Sequence, residues 1–224
     1  MRALCGASDE GALPTAVGSM RSTGIFDGLA ALGLSISEEQ GGGSPMSAET
    51  LSYAIDEHDH LIRVDQGYYR FAEENGWNEA ATSLGRSLWD YVAGHEMVKL
   101  QRLLVRRIRD GVGDVELPFR CDGPEVRREM DIRIVARPGG RVVLFSARLR
   151  AQEERDLPQR LLDPATPRSG EVLEMCGWCD RFKVDAEWIE VEEAARRLGL
   201  FNRSELPAVS HGICPDCNEM LLAA

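Results

Sequence analysis

Glu129-Met130-Asp131-Ile132-Arg133-Ile134 alternates polar and apolar side chains, and Arg137-Pro138-Gly139-Gly140 follows it as a turn. A period of two puts Met130, Ile132 and Ile134 on one face of a strand and the three charged residues on the other. Val142 to Phe145 then opens a returning antiparallel strand. Upstream, Val115, Leu117, Phe119 and Cys121 alternate with Glu116, Pro118 and Arg120, which adds a third strand. Pro118 has no N–H to give a ladder, so its strand belongs at a sheet edge or carries a bulge. Cys121 falls on the apolar side and reads as a core residue.

Further outward, Leu51, Tyr53 and Ile55 are spaced by two, and Asp56-Glu57-His58-Asp59 turns the chain into Leu61-Ile62-Arg63-Val64, a hairpin. Asp65 can cap a short helix carrying Tyr68, Phe71 and Ala72. A longer helix from about His95 to Asp110 lines up Met97, Leu100, Leu104 and Ile108 on one face. The basic run Arg102, Arg106, Arg107 and Arg109 lies on that helix among acids and reads as a solvated face.

Two strands, several helices and three strands in about 100 residues, with the phrases Gly85-Arg86-Ser87-Leu88-Trp89-Asp90 and Phe119-Arg120-Cys121-Asp122-Gly123-Pro124, resemble a PAS domain of the small bacterial kind. The resemblance implies an antiparallel sheet crossed by helices, and a role in sensing a small ligand or contacting a protein. It names no ligand. It also makes the polar stretch 151–170, with a possible helix broken at Pro158, the candidate output segment, against the plainer reading of a spacer.

The strongest chemical signal lies beyond that stretch. Cys176-Gly-Trp-Cys179 and Cys214-Pro-Asp-Cys217 are separated by 34 residues. Each Cys-x-x-Cys aims two thiolates at one point, and two of them supply the four tetrahedral ligands of a closed structural zinc site. Such a site keeps no open position for hydrolysis. His211, three residues before Cys214, is placed to support a ligand sulfur from outside the ligand set. Between the pairs, Asp185 is expected to cap a helix over 186–198 with Trp188, Val191, Ala195 and Leu198 on one face, ended by Gly199. Asn218 to Leu222 reads as a helix starting at the last ligand. Trp178, Phe182, Trp188, Leu198 and Phe201 would form a thin core. The order knuckle, intervening structure, knuckle and helix looks like a treble-clef module, and Ser210-His-Gly-Ile-Cys-Pro-Asp-Cys217 resembles a C-terminal module found beside bacterial PAS and receiver domains. A redox dithiol pair is the competing reading of the same cysteines. An iron–sulfur cluster lacks its usual ligand spacing.

Composition narrows the function classes. The 224 residues carry 26 basic and 37 acidic side chains, a net charge of −11. Residues 156–224, the part most easily mistaken for a DNA-binding finger, hold 13 acidic against 7 basic side chains. A nucleic-acid partner needs a clustered positive field, so none is expected. No apolar run reaches the ~18 residues of a membrane span, and no export signal opens the chain; a cytoplasmic protein is expected. Residues 1–46 hold nine of the 22 glycines and one aromatic, Phe26. They read as a disordered tail, or as sequence upstream of a true start at Met46.

His58 and His60 sit in the first hairpin turn without companion ligands, and His95 starts a helix, where haem ligation is not expected. No Ser-His-Asp set, phosphate loop or kinase signature is visible. The sequence therefore predicts an α+β chain in four parts: tail 1–46, PAS-like domain 47–150, linker 151–170 and treble-clef-like zinc module 171–224. The expected role is non-catalytic regulation with zinc at Cys176, Cys179, Cys214 and Cys217. The expected partner is a signalling protein, or a second copy met through the PAS-like domain.

Overall fold

The computed structural model describes residues 50–224; the two readings of 1–46 lie outside them. β1 (Thr50–Ile55) and β2 (Leu61–Val64) form the expected hairpin. Its turn is locked by the Asp56 carboxylate, which accepts from the His58 and His60 amides at 2.9 Å each. Asp65 caps α1 (Gln66–Glu74) by accepting from the Tyr68 amide at 2.8 Å, and Tyr68, Phe71 and Ala72 are the residues α1 buries. α2 (His95–Arg109) buries Met97, Leu104, Val105 and Ile108, with Leu100 half-buried. The chain then makes β3 (Val115–Arg120), β4 (Val126–Ala136) and β5 (Val143–Glu154).

These five strands form one antiparallel sheet in the order β2-β1-β5-β4-β3. The two ends of the segment thus meet at the centre, where β1 pairs with β5 along its whole length. Met130, Ile132 and Ile134 are buried while Glu129, Asp131 and Arg133 are not, as the alternation requires. β3 is an edge strand, which suits Pro118. Aromatic rings fill the space between sheet and helices. Tyr53 stacks on Phe145 at 4.7 Å, Tyr68 meets Tyr53 and Trp77 edge-on, and Trp77 meets Tyr91 at 5.2 Å. This is the α+β arrangement of an antiparallel sheet crossed by helices that the resemblance implies.

A second sheet holds β6 (Arg168–Cys176), β7 (Phe182–Val184), β8 (Glu187–Ile189) and β9 (Leu206–Gly212) in the order β8-β7-β6-β9. β6 and β9 run parallel, and the other pairs are antiparallel. α3 (Val191–Arg197) crosses between β8 and β9, and α4 (Pro215–Ala223) closes the chain. Stretch 151–170 contains the end of β5 and a short 3-10 turn at Arg160–Leu162, but no α-helix.

Three local readings are corrected. The helix expected over 186–198 begins only at Val191. Asp185 adopts φ +54° and turns the β7–β8 hairpin instead of capping a helix. Asp tolerates this left-handed region, and strands of three residues are too short to show their alternation against helical spacing. Gly199 does end α3, in the left-handed conformation. α4 starts at Pro215, because Cys214 and not Cys217 is its cap. Phe201 is exposed, so the second core is built instead from Leu173, Met175, Phe182, Val184, Val191 and Leu206 with their neighbours.

The arginine run is not uniformly solvated either. Arg109 bonds Asp59 Oδ1 at 2.7 Å, Arg107 bonds the Leu222 carbonyl of α4 at 2.8 Å, and Arg102 lies over the Trp89 ring.

α2 meets β9 through Gly94, whose φ is +88° and whose absent Cβ would lie 2.6 Å from the His211 carbonyl oxygen. Gly94→Ala is therefore expected to cost roughly 2 kcal/mol or more through backbone strain and displacement of β9, read as a lower midpoint in denaturant. Ile132, fully buried, gives a sharper check on register. Ile132→Asp should abolish cooperative unfolding, since an unpaired buried carboxylate costs several kcal/mol, whereas Arg133→Asp should leave the fold intact by circular dichroism.

Candidate metal centre at the sheet edge

β6 and β9 bring the two cysteine pairs together. Their parallel register sets Met175 opposite His211 and Cys176 opposite Gly212, and the Gly177 amide extends the ladder to the Gly212 carbonyl at 3.0 Å. Both strands leave the sheet at the same end. The first knuckle, Cys176–Cys179, follows β6 directly, and the second, Cys214–Cys217, opens α4.

All four sulfurs lie within 4.8 Å of one another, with Cys179 Sγ to Cys214 Sγ at 3.8 Å. A tetrahedron with Zn–S near ~2.3 Å has sulfur–sulfur edges of about 3.8 Å. A disulfide would need about 2.05 Å, and all four cysteines are free. Backbone amides support the sulfurs: Cys214 N–H points at Cys176 Sγ and Cys217 N–H at Cys214 Sγ, both at 3.4 Å. Cys176, Cys214 and Cys217 are buried and Cys179 half-buried.

The thiols share one environment. Hydrogen bonds from Cys179 and then Cys217 hold the Cys176 thiol well below the ordinary thiol range. The same bonds to Cys176, together with burial, push Cys179 and Cys217 up. Thiolates packed this closely repel one another, a repulsion that a divalent cation relieves.

The first knuckle also touches the five-stranded sheet. Trp178, between two of the cysteines, is buried, donates its indole N–H to the Pro118 carbonyl at 2.7 Å and packs near Phe119. Its own carbonyl accepts from the Arg120 amide at 3.0 Å. Asp180, at φ +59°, accepts from the Asp122 amide at 2.9 Å. Sequence reasoning placed Trp178 in a separate small core. Pro118, the residue whose carbonyl faces the free edge, was the one signal that something beyond β3 could cap it.

Beside this contact lies a charged cluster that the sequence did not reveal. The Asp122 side chain is fully buried and pairs with Arg120 and with Arg155, the latter at 2.6 Å. Arg120 also reaches Glu190 at 2.5 Å, ahead of α3, and Arg155 reaches Glu192 within it. Burial opposes the charge on Arg120, but Asp122 and Glu190 outweigh it and raise its pKa. Burial likewise opposes ionisation of Glu190, yet Arg120, Arg127 and Arg181 bring its pKa down.

The other candidate residues lie apart from one another. His211 is half-buried on β9 with its carbonyl against Gly94. His58 and His95 are exposed and His60 is half-buried beside Asp56. Cys121 is buried just after β3. Among the described residues no helix is long and apolar enough to cross a membrane.

No protein-family model matches the chain, and no curated protein matches it. Among solved structures, the chain is similar over 48% of its length to the whole PAS domain of the Cronobacter turicensis RpfR quorum-sensing receptor, solved in complex with BDSF, at 13% identity and a TM-score of 0.36. The PAS domain of an HTR-like protein from Haloarcula marismortui aligns over 46% of this chain and 83% of its own length, at 17% identity and TM-score 0.30. A sensory box sensor histidine kinase from Vibrio cholerae aligns over 45% and 79%, at 6% identity and TM-score 0.32.

Asp122→Ala would leave two largely buried guanidinium groups without their shared partner. It is expected to cost roughly 3 kcal/mol, with Asp122→Asn costing less, as read from paired denaturant titrations.

Proposed function

We propose that this chain is a non-catalytic regulatory protein in which a PAS-like unit, 47–150, carries a zinc-bearing module, 171–224, joined through 151–170. The observation that supports it most is the convergence of four free cysteine sulfurs within 4.8 Å. Cys176, Cys179, Cys214 and Cys217 would hold one zinc ion with no coordination position left open. Its role is then structural and not hydrolytic. His211 supports the ligand set from β9. Four reduced thiols in one cluster suit a reducing, cytoplasmic compartment.

The output is contact with a signalling protein, or with a second copy through the PAS-like unit. The acidic surface disfavours nucleic acid and anionic membranes as partners. Aromatic side chains occupy much of the space between sheet and helices, which supports protein contact over a bulky ligand there.

Elemental analysis beside thiol titration tests this. The chain should carry about one zinc, with four thiols unreactive until a chelator is added. Ser at any one of the four cysteine positions should lower zinc content. A metal-free chain whose cysteine pairs form disulfides that cycle under mild oxidant would replace the zinc reading with a redox one.

A further inference from the structure

Arg120, Cys121 and Asp122 form an alternating run at the end of β3. The Cys121 amide donates inward to the Arg128 carbonyl of β4 at 3.2 Å, while the amides on either side donate outward, to Trp178 O and Asp180 Oδ2. Pro118, two residues earlier, offers no outward N–H, and its carbonyl takes the Trp178 indole. The first knuckle thus supplies the hydrogen bonds that a sixth strand would supply to an exposed edge. Three successive outward positions, Pro118 and Arg120 in β3 and Asp122 just past it, are satisfied by residues lying within or immediately after Cys176–Cys179.

The knuckle is short, and buried Trp178 is its anchor in the core shared with Phe119 and Met130. Trp178 is flanked by Cys176 and Cys179, so an ion that fixes both sulfurs also fixes the indole and carbonyl between them. Gly177 packs against α2, where an added Cβ would lie 3.0 Å from Met97 Cγ. Without the ion, Cys176 and Cys179 lose their common tie to Cys214 and Cys217, and main-chain bonds such as Gly177 N–H to the Gly212 carbonyl at 3.0 Å are left to hold the loop. The ion pairs from Arg120 to Glu190 and Arg155 to Glu192 tie the start of α3 to the sheet through residues outside the knuckle.

We propose that the four-cysteine site is a metal-operated clasp on the five-stranded sheet: with the ion bound, the knuckle covers the end of β3, and loss of the ion uncovers that edge. The site would then regulate the PAS-like unit as well as stabilise its own module. This rests on the zinc reading above. An uncovered β3 presents free backbone groups to a partner strand, which gives metal loss a readable output.

The test is residue-resolved hydrogen exchange on the full chain, zinc-loaded, chelated and reloaded with zinc. Chelation should speed exchange of the Arg120 and Asp122 amides at least about tenfold and change that of Cys121 less than about twofold; reloading should reverse it. Trp178→Phe, which keeps all four ligands and the carbonyl that Arg120 bonds, should retain one zinc and change Arg120 exchange less than about twofold in the loaded state; a several-fold rise would show that the indole and not the ion holds the edge, and the clasp would be wrong. If zinc binds and is removed while Arg120 and Asp122 exchange as before, the clasp is wrong and the zinc reading stands. If chelation strips protection from β1, β4 and β5 together, the ion holds the whole fold and the clasp is again wrong. If the chain takes up no zinc, the zinc reading itself falls.

Discussion

The parallel pairing of β6 with β9 is the constraint on which the metal centre depends. Two cysteine pairs 34 residues apart meet because the strands leading into them leave a sheet side by side, in step, at the same end. Parallel neighbours require a crossover. Residues 177–205 provide it with the first knuckle, the β7–β8 hairpin and α3. Phe182 of β7 pairs with Met175 of β6, both fully buried, and holds the hairpin of this crossover beside β6 in the same sheet. The cysteine cluster therefore sits on a preformed scaffold, and the ion completes a geometry that the backbone has largely set.

The same crossover delivers the knuckle to the edge of the other sheet. Edge strands carry unpaired backbone groups that must be covered, shortened or charged. β3 meets the requirement with a proline and with the indole and carbonyl of Trp178. One hydrophobic core continues through the junction, with Trp178, Cys176, Cys214, Cys217 and Leu221 joined to Phe119, Met97 and Met130. The polar counterpart is Asp122, whose side chain and amide engage both sheets. A fully buried carboxylate is tolerable because two guanidinium groups converge on it and the Arg128 amide donates to it at 3.0 Å. That makes its neighbourhood sensitive to any change in how the modules sit together.

Much of this was legible in one dimension. Period-two runs gave β3, β4 and the start of β5, and their buried faces, because each has one face on the core and one toward water. Asp65 announced α1 because a cap is a local hydrogen bond between neighbours in sequence. The β7–β8 hairpin was not legible, since three-residue strands present too few positions for a period to show. Trp188 and Val191 therefore passed as one helical face when they belong to a strand and a helix. Phe201 failed for a different reason: apolar character alone does not say which side of a short turn the core lies on.

By itself the sequence determined the spacing of the four cysteines, the alternation of the sheet and the punctuation at Asp65, Pro118 and Gly199, all of which act over a few residues. Only tertiary structure decided the order β2-β1-β5-β4-β3, the parallel union of β6 and β9 and the meeting of Trp178 with Pro118. It also decided the burial of Asp122 between Arg120 and Arg155. These are contacts between segments tens of residues apart, chosen by which apolar faces and unpaired backbone groups could be covered together. No local pattern encodes that choice, because it belongs to the packing of the whole chain.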